Sequence, residues 1–224
     1  MLNTSVHFPD QLAFWNDWHA RRGATGDDPG HRESRRVFLD LLAESASRRV
    51  LDLGCGQGHD VAAFAQGGLD AHGLDYSPVA VRQAREALRR VGGSDAHGRV
   101  RCHDLVEPLP YADRAFDGIF SHLAIQYFDE PTTQAICLEA ARVLRPGGVL
   151  VLVVKSVDDP YCGQGDRLAH HTWLRKGRIR RFFTEHELKD LLADWAIDRI
   201  DSYSGQYASP EQSHFLRLVA RRSF

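Results

Sequence analysis

The chain has 224 residues, 43% of them hydrophobic, enough for one globular domain with a sizeable core and too apolar for disorder. Its 28 Lys and Arg against 30 Asp and Glu leave a net charge of −2, which excludes the broad basic footprint of a nucleic-acid binder. No apolar run approaches the ~18 residues of a membrane span, and Met1 to Asp10 lacks the layout of a signal peptide.

In chain order, Leu12 to Trp18 places Phe14, Trp15 and Trp18 on one helical face, and Gly23 to Gly30 reads as a loop. Residues 1–30 are therefore expected to form either a lid or a segment packed on the flank of the domain. Arg32–Ala46 reads as a helix from Val37, Phe38, Leu41 and Leu42. Strand and helix then alternate. Strand Arg49–Leu53 precedes helix His59–Gln66, strand Asp70–Asp75 precedes helix Pro78–Val91, and strand Arg99–His103 follows. Strand Phe116–His122, helix Thr132–Leu144 and the fully apolar strand Val149–Lys155 complete the alternation. Apolar strands separated by helices argue for a mostly parallel sheet covered on both faces.

The tail differs. Ser156–Arg181 reads as a long polar loop, too long for a plain connector, and is expected to cover the substrate, with a disordered surface insert as the alternative. Thr184 and Glu187 form a capping box for a helix reaching Trp195. Strands Ile197–Tyr203 and Ser213–Arg221 follow with no helix between them, which predicts a terminal antiparallel hairpin. No repeat or second-domain boundary is visible, so residues 1–224 are read as a single domain.

Cys55, Cys102, Cys137 and Cys162 show no zinc-type spacing, and His170-His171 is the one histidine cluster, so no metal is expected. Scattered thiols suit a cytoplasmic protein. The basic run Arg175 to Arg181 is read first as a solvated face, with an acidic substrate as the alternative.

The sharpest signal is Val50-Leu51-Asp52-Leu53-Gly54-Cys55-Gly56-Gln57-Gly58. A strand runs into glycines at every second position and a helix follows, a geometry that lets backbone approach a nucleotide-like ligand. Asp52 before those glycines would repel a pyrophosphate and suits a cationic ligand. Asp75 ends the next strand, where a carboxylate can accept from both hydroxyls of a ribose. Asp104 follows the third strand, in place for an adenine amino group. Each of the two strand-end carboxylates also has the plain reading of a solvated strand end.

These residues closely resemble the motifs of class I S-adenosylmethionine (SAM)-dependent methyltransferases. The glycine run is similar to their first motif, Gly73-Leu74-Asp75-Tyr76-Ser77 to their second, and Asp104-Leu105, Leu109-Pro110 and Phe116-Asp117 to their third and fourth. Leu144-Arg145-Pro146-Gly147-Gly148 resembles the turn before their fifth strand. The resemblance covers roughly residues 35–155. It implies a Rossmann-like α/β fold with a seven-stranded, mostly parallel sheet of order 3-2-1-4-5-7-6 and an antiparallel C-terminal strand. It implies SAM as cofactor, held by Asp52, Gly54, Gly56, Asp75, Tyr76, Asp104, Leu105 and Ser121, with Cys55 and Gly58 in the same loop. The chain's length and Phe182 to Leu188 look like small-molecule members, loosely including the tellurite-resistance type.

Methyl transfer from a sulfonium depends mainly on alignment, with a general base for an oxygen acceptor. His122 and Tyr127, after the fourth strand, are the catalytic candidates, and His19 is a second base candidate. Each has the competing reading of a packed side chain. The expected activity is methylation of a small molecule by a monomer or homodimer. Its rivals are a SAM-using enzyme that cyclises SAM or moves another group, a non-catalytic SAM-binding regulator, and a nicotinamide dehydrogenase. Asp52 counts against the last, as does the absence of the wider Gly-x-Gly-x-x-Gly spacing.

Overall fold

The computed structural model describes residues 11–21, 28–43, 48–93, 95–206 and 211–223. Met1 to Asp10, much of the Gly23–Gly30 hinge, the end of the helix expected to reach Ala46, and Pro210 lie outside the described residues.

Three helices start at an Asp or Ser cap with Pro in the first turn. α2 (Pro29–Leu42) is capped by Asp28, α4 (Pro78–Arg90) by Ser77 and α6 (Glu130–Val143) by Asp129, each side chain accepting a first-turn backbone N–H. They alternate with β1 (Arg49–Leu53), α3 (His59–Gln66), β2 (Asp70–Asp75), β3 (Val100–Cys102), β4 (Phe116–His122) and β5 (Leu144–Lys155). α1 (Gln11–Arg21) precedes this series, and the four-residue α5 (Ala96–Arg99) occupies the approach to β3, where the strand was expected to begin.

The long apolar strands are buried on both faces because period-2 alternation sends successive residues to opposite layers. In β5, Val149 and Val151 join Val50, Phe38, Phe64 and Phe120 under α2, α3 and α4. Leu150, Leu152 and Val154 join Leu51, Leu53 and Ile136 on the other side, under α6 and α7 (Glu185–Leu191). Each such side chain contributes about 1.5–3 kcal/mol by leaving water.

The sheet has seven strands in the order β3-β2-β1-β4-β5-β10-β9. β1 to β5 are parallel, and β10 (Gln212–Arg222) runs antiparallel to both β5 and β9 (Trp195–Gln206). The implied strand order and the terminal hairpin are both present. Residues 156–181, expected to be a loop, are not one. A second, three-stranded antiparallel sheet forms there from β6 (Asp166–Ala169), β7 (Thr172–Arg175) and β8 (Arg178–Arg181). Lys176 and Gly177 join β7 to β8 with φ of 52° and 72°, the two-residue turn whose twist matches a hairpin. Among the described residues no helix is long and apolar enough to cross a membrane.

Candidate active site

The carboxyl ends of β1, β2 and β4 open on a cavity of about 650 Å³, within the range that encloses a drug-sized ligand. At its first end the chain leaves β1 through the glycine loop. A Cβ on Gly58 (φ 80°) would lie 2.6 Å from the Ala84 backbone, so this glycine lets α3 and α4 close together. A Cβ on Gly56 (φ 51°) would meet nothing nearer than His19 Cε1 at 3.4 Å, so this backbone is open to a ligand.

Asp75 closes the same end. Its carboxylate accepts from the backbone N–H of Gly56 and of Ser77, both at 2.8 Å, and remains on the cavity wall. Burial pushes its carboxyl up, and the two backbone donors and His19 oppose this. Asp52 lies behind the loop, 2% exposed, with Oδ2 lacking a hydrogen-bond partner. Burial drives its carboxyl well above the usual range, helped by Asp60 and Asp75 and opposed by His31 and Arg35.

α1 roofs the opening. The Ser77 hydroxyl donates to Asn16 Oδ1 at 2.6 Å, and Gln83 Nε2 donates to the His19 carbonyl at 3.0 Å. Trp15, Trp18 and His19 face the cavity, and the Trp15 ring meets Tyr127 edge-on at 4.7 Å. α1 has no fully buried residue, so it covers the site without belonging to the core.

The second end is built after β4. Leu123 takes φ 57° and donates its N–H to the Val153 carbonyl at 2.9 Å. A left-handed leucine costs about 1–2 kcal/mol, and here it redirects the chain so that both His122 and Tyr127 reach the cavity. The His122 ring stacks on His31 at 3.8 Å with a 4° interplanar angle. His31 Nε2 bonds the Asp60 carboxylate at 2.9 Å, and Arg35 Nε donates to Asp60 at 2.7 Å. Burial alone would raise the Asp60 carboxyl, but His31, Arg35 and His122 outweigh it and hold it far below the usual carboxylate range.

Of the residues singled out in the sequence, the cavity wall brings together His19, Gly54, Gly56, Asp75, Tyr76, Asp104, Leu105, His122 and Tyr127. Asp52, Cys55, Gly58 and Ser121 do not line it. Cys55 packs beside Val61 in the core, and the Ser121 hydroxyl donates to the Leu53 carbonyl at 3.1 Å, tying β4 to β1. Sequence reasoning missed Phe128, Thr132 and Ile179 on the wall, and the His31–Asp60–Arg35 group behind it. His31 follows the Asp28 cap by three residues, which is a helix-start signal and carries no hint of a site. His170, His171 and Glu187 converge within 4.8 Å. The Glu187 carboxylate is already engaged there as the α7 cap, accepting from the Thr184 N–H at 2.8 Å and bonding His171 Nδ1 at 3.0 Å.

Residues 50–148 match the family described as a methyltransferase domain. Two curated relatives are a rice 24-methylenesterol C-methyltransferase, 36% identical over 126 residues, and an uncharacterised methyltransferase of Synechocystis, 32% identical over 132 residues. These alignments cover 54% and 59% of this chain, but only 34% and 58% of the relatives' own lengths. A solved Burkholderia thailandensis 1,6-didemethyltoxoflavin N1-methyltransferase, with S-adenosylhomocysteine (SAH) and its acceptor bound, shares the fold. It has a TM-score of 0.71 at 23% identity, over 95% of this chain and 86% of that one.

Proposed function

We propose that the chain is a class I SAM-dependent methyltransferase that transfers a methyl group from SAM to a small-molecule acceptor. The observation that carries this reading is the continuity of one cavity. The open Gly56 backbone and the oriented Asp75 carboxylate stand at one end, and His122 and Tyr127 at the other, under a shared aromatic roof. The Asp75 geometry fits a vicinal diol, because two backbone donors fix one lone pair on each oxygen of a carboxylate that lines the cavity, leaving the others to accept from a ligand.

When bound, SAM supplies a methyl group activated by its sulfonium. The residues of this chain bind, orient and exclude water. Asp75 accepts from the ribose hydroxyls, Gly56 admits the ligand backbone-close, and Asp104 accepts from the adenine amino group. Tyr76 and Leu105 flank the bound nucleoside. Asp75, on the cavity wall, biases this end toward a cationic ligand, while Asp52 stays buried behind the loop. Trp15 and Trp18 shut out solvent, which favours alignment of donor and acceptor. His122 takes the acceptor's proton where one is lost, its ring held flat by His31 and Asp60. Tyr127 lies against the acceptor, and His19 is the second proton acceptor, at the roof.

Incubation with methyl-labelled SAM, with and without a fractionated small-molecule extract, tests the reading. Labelled methyl is expected in a small-molecule fraction, with SAH as co-product, only when extract is present. Conversion of SAM alone into another product would assign the domain to SAM rearrangement instead.

A further inference from the structure

Beside Tyr127 lies a second recess of about 210 Å³, sharing the Trp18 and Tyr127 side chains with the larger cavity. Among the described residues six cationic side chains line it, Lys155, Arg175, Lys176, Arg178, Arg180 and Arg181, and no acidic side chain does. We propose that this recess is the specificity subsite for the methyl acceptor, and that it takes a carboxylate or phosphate group carried by that acceptor. The proposal rests on reading the larger cavity as the methyl-transfer site.

Solvated arginines make no such site, but two of these are buried. Arg178 is 7% exposed and Arg181 4% exposed. An arginine keeps its charge in a protein, so burying one without an anion is costly. Lys155 is matched by Asp159 at 2.6 Å, and Arg181 Nη2 has Glu130 at 3.5 Å. Among the described residues, the guanidinium edges of Arg178 and Arg180 at Nε, and of Arg181 at Nε and Nη1, have no hydrogen-bond partner.

Their faces, by contrast, are used. Arg178 stacks over Phe14 at 3.6 Å, Arg175 and Arg180 lie over Tyr161 at 4.8 and 5.5 Å, and Arg181 lies over Phe183 at 4.7 Å. Stacking occupies the flat face of a guanidinium and leaves its N–H edge to donate in the plane, the arrangement suited to bidentate capture of an oxyanion. Burial pulls Arg178 below its ordinary value, with Tyr127 opposing and the neighbouring Arg180 and Arg175 charges adding to the pull. Like charges held together in this way are relieved by an anion. Because Phe14 belongs to α1 and Tyr127 to the cavity wall, an acceptor anchored here extends toward His122 beneath the roof.

The test uses benzoate and inorganic phosphate as probes and benzamide as the neutral near-isostere of benzoate, titrated into SAH-saturated protein and followed by calorimetry. Both anions are expected to bind saturably, with benzamide at least tenfold weaker than benzoate. Arg178→Gln should weaken both anions at least tenfold while the SAH dissociation constant changes by less than twofold. Arg180→Gln, at a less buried position, should weaken them by a smaller factor and stands in if Arg178→Gln does not fold. Anion binding that neither variant weakens, no saturable anion binding, or benzamide binding equal to benzoate would each overturn the proposal. Failure of SAH to bind the unmodified protein would overturn the methyltransferase reading instead, so the two failures are read separately.

Discussion

The two ends of the cavity are built differently. The glycine-loop end is made by neighbours on adjacent parallel strands: Gly54 and Cys55 donate to the Leu74 carbonyl at 2.9 Å, and Gly56 donates to Asp75. The far end is assembled from segments remote in sequence. Trp15 comes from α1, Tyr127 from the turn after β4, His31 from α2, and the arginines from the small β6–β8 sheet. One end is held by backbone geometry, and the other by ring contacts and charges that only the tertiary fold brings together. Substitutions at the first should change cofactor affinity, while changes at the second should change turnover or acceptor choice.

Deleting residues 1–22 attacks the second end hardest. It removes Trp15, Trp18 and His19 from the cavity but no fully buried side chain of α1. Turnover should fall roughly a hundredfold, the scale of lost alignment, with only a modest drop in melting temperature. Activity and thermal melting on the same truncated sample check this. A stable truncation with normal turnover would show that α1 is mere packing.

Asp75→Ala strikes the first end. On the proposed reading it removes two charge-assisted hydrogen bonds to the ribose, each worth about 1.5–3 kcal/mol. SAM affinity should fall by at least ~30-fold while circular dichroism stays native. An unchanged dissociation constant would reduce Asp75 to an acceptor for its own loop.

The smallest expected effect sharpens the comparison by probing what anchors the small sheet. Burial would raise the Glu187 carboxyl, but the Thr184 and His171 bonds prevail and hold it below its ordinary value. Its folded-state pKa is depressed, so its stabilisation is present above the unfolded carboxyl range near ~4.3 and is lost as pH falls through the folded value. Glu187→Gln should cost about 1 kcal/mol at neutral pH and progressively less in acid. Melting curves from neutral pH downward check this, and a cost independent of pH would show that the charge of Glu187 is irrelevant.

The parallel strands and the first end were legible because each rests on a local signal, while the strand order followed only from the resemblance to methyltransferase motifs. Apolar runs alternating with capped helices imply parallel strands, and glycines at a strand end imply a close backbone turn. Period-2 alternation did not reveal that Ser121 ties β1 to β4, or that Cys55 turns into the core. The small sheet was illegible because β6 is exposed along its length and shows no alternation, and its hairpin turn is Lys-Gly rather than the stronger Asn-Gly signal. The burial of Arg178 and Arg181 could not be read from a basic run, since it depends on Phe14 and Phe183 lying across them. The His31–His122 stack joins α2 to the end of β4, a contact no spacing rule anticipates.

Calorimetric titration with SAH and, separately, with NAD tests the account most directly, because on the proposed reading the Asp75 carboxylate on the cavity wall accepts from a ribose and disfavours a pyrophosphate beside it. The account predicts saturable 1:1 binding of SAH in the low-micromolar range and no measurable heat from NAD. NAD binding, or a protein that ignores SAH, would contradict it.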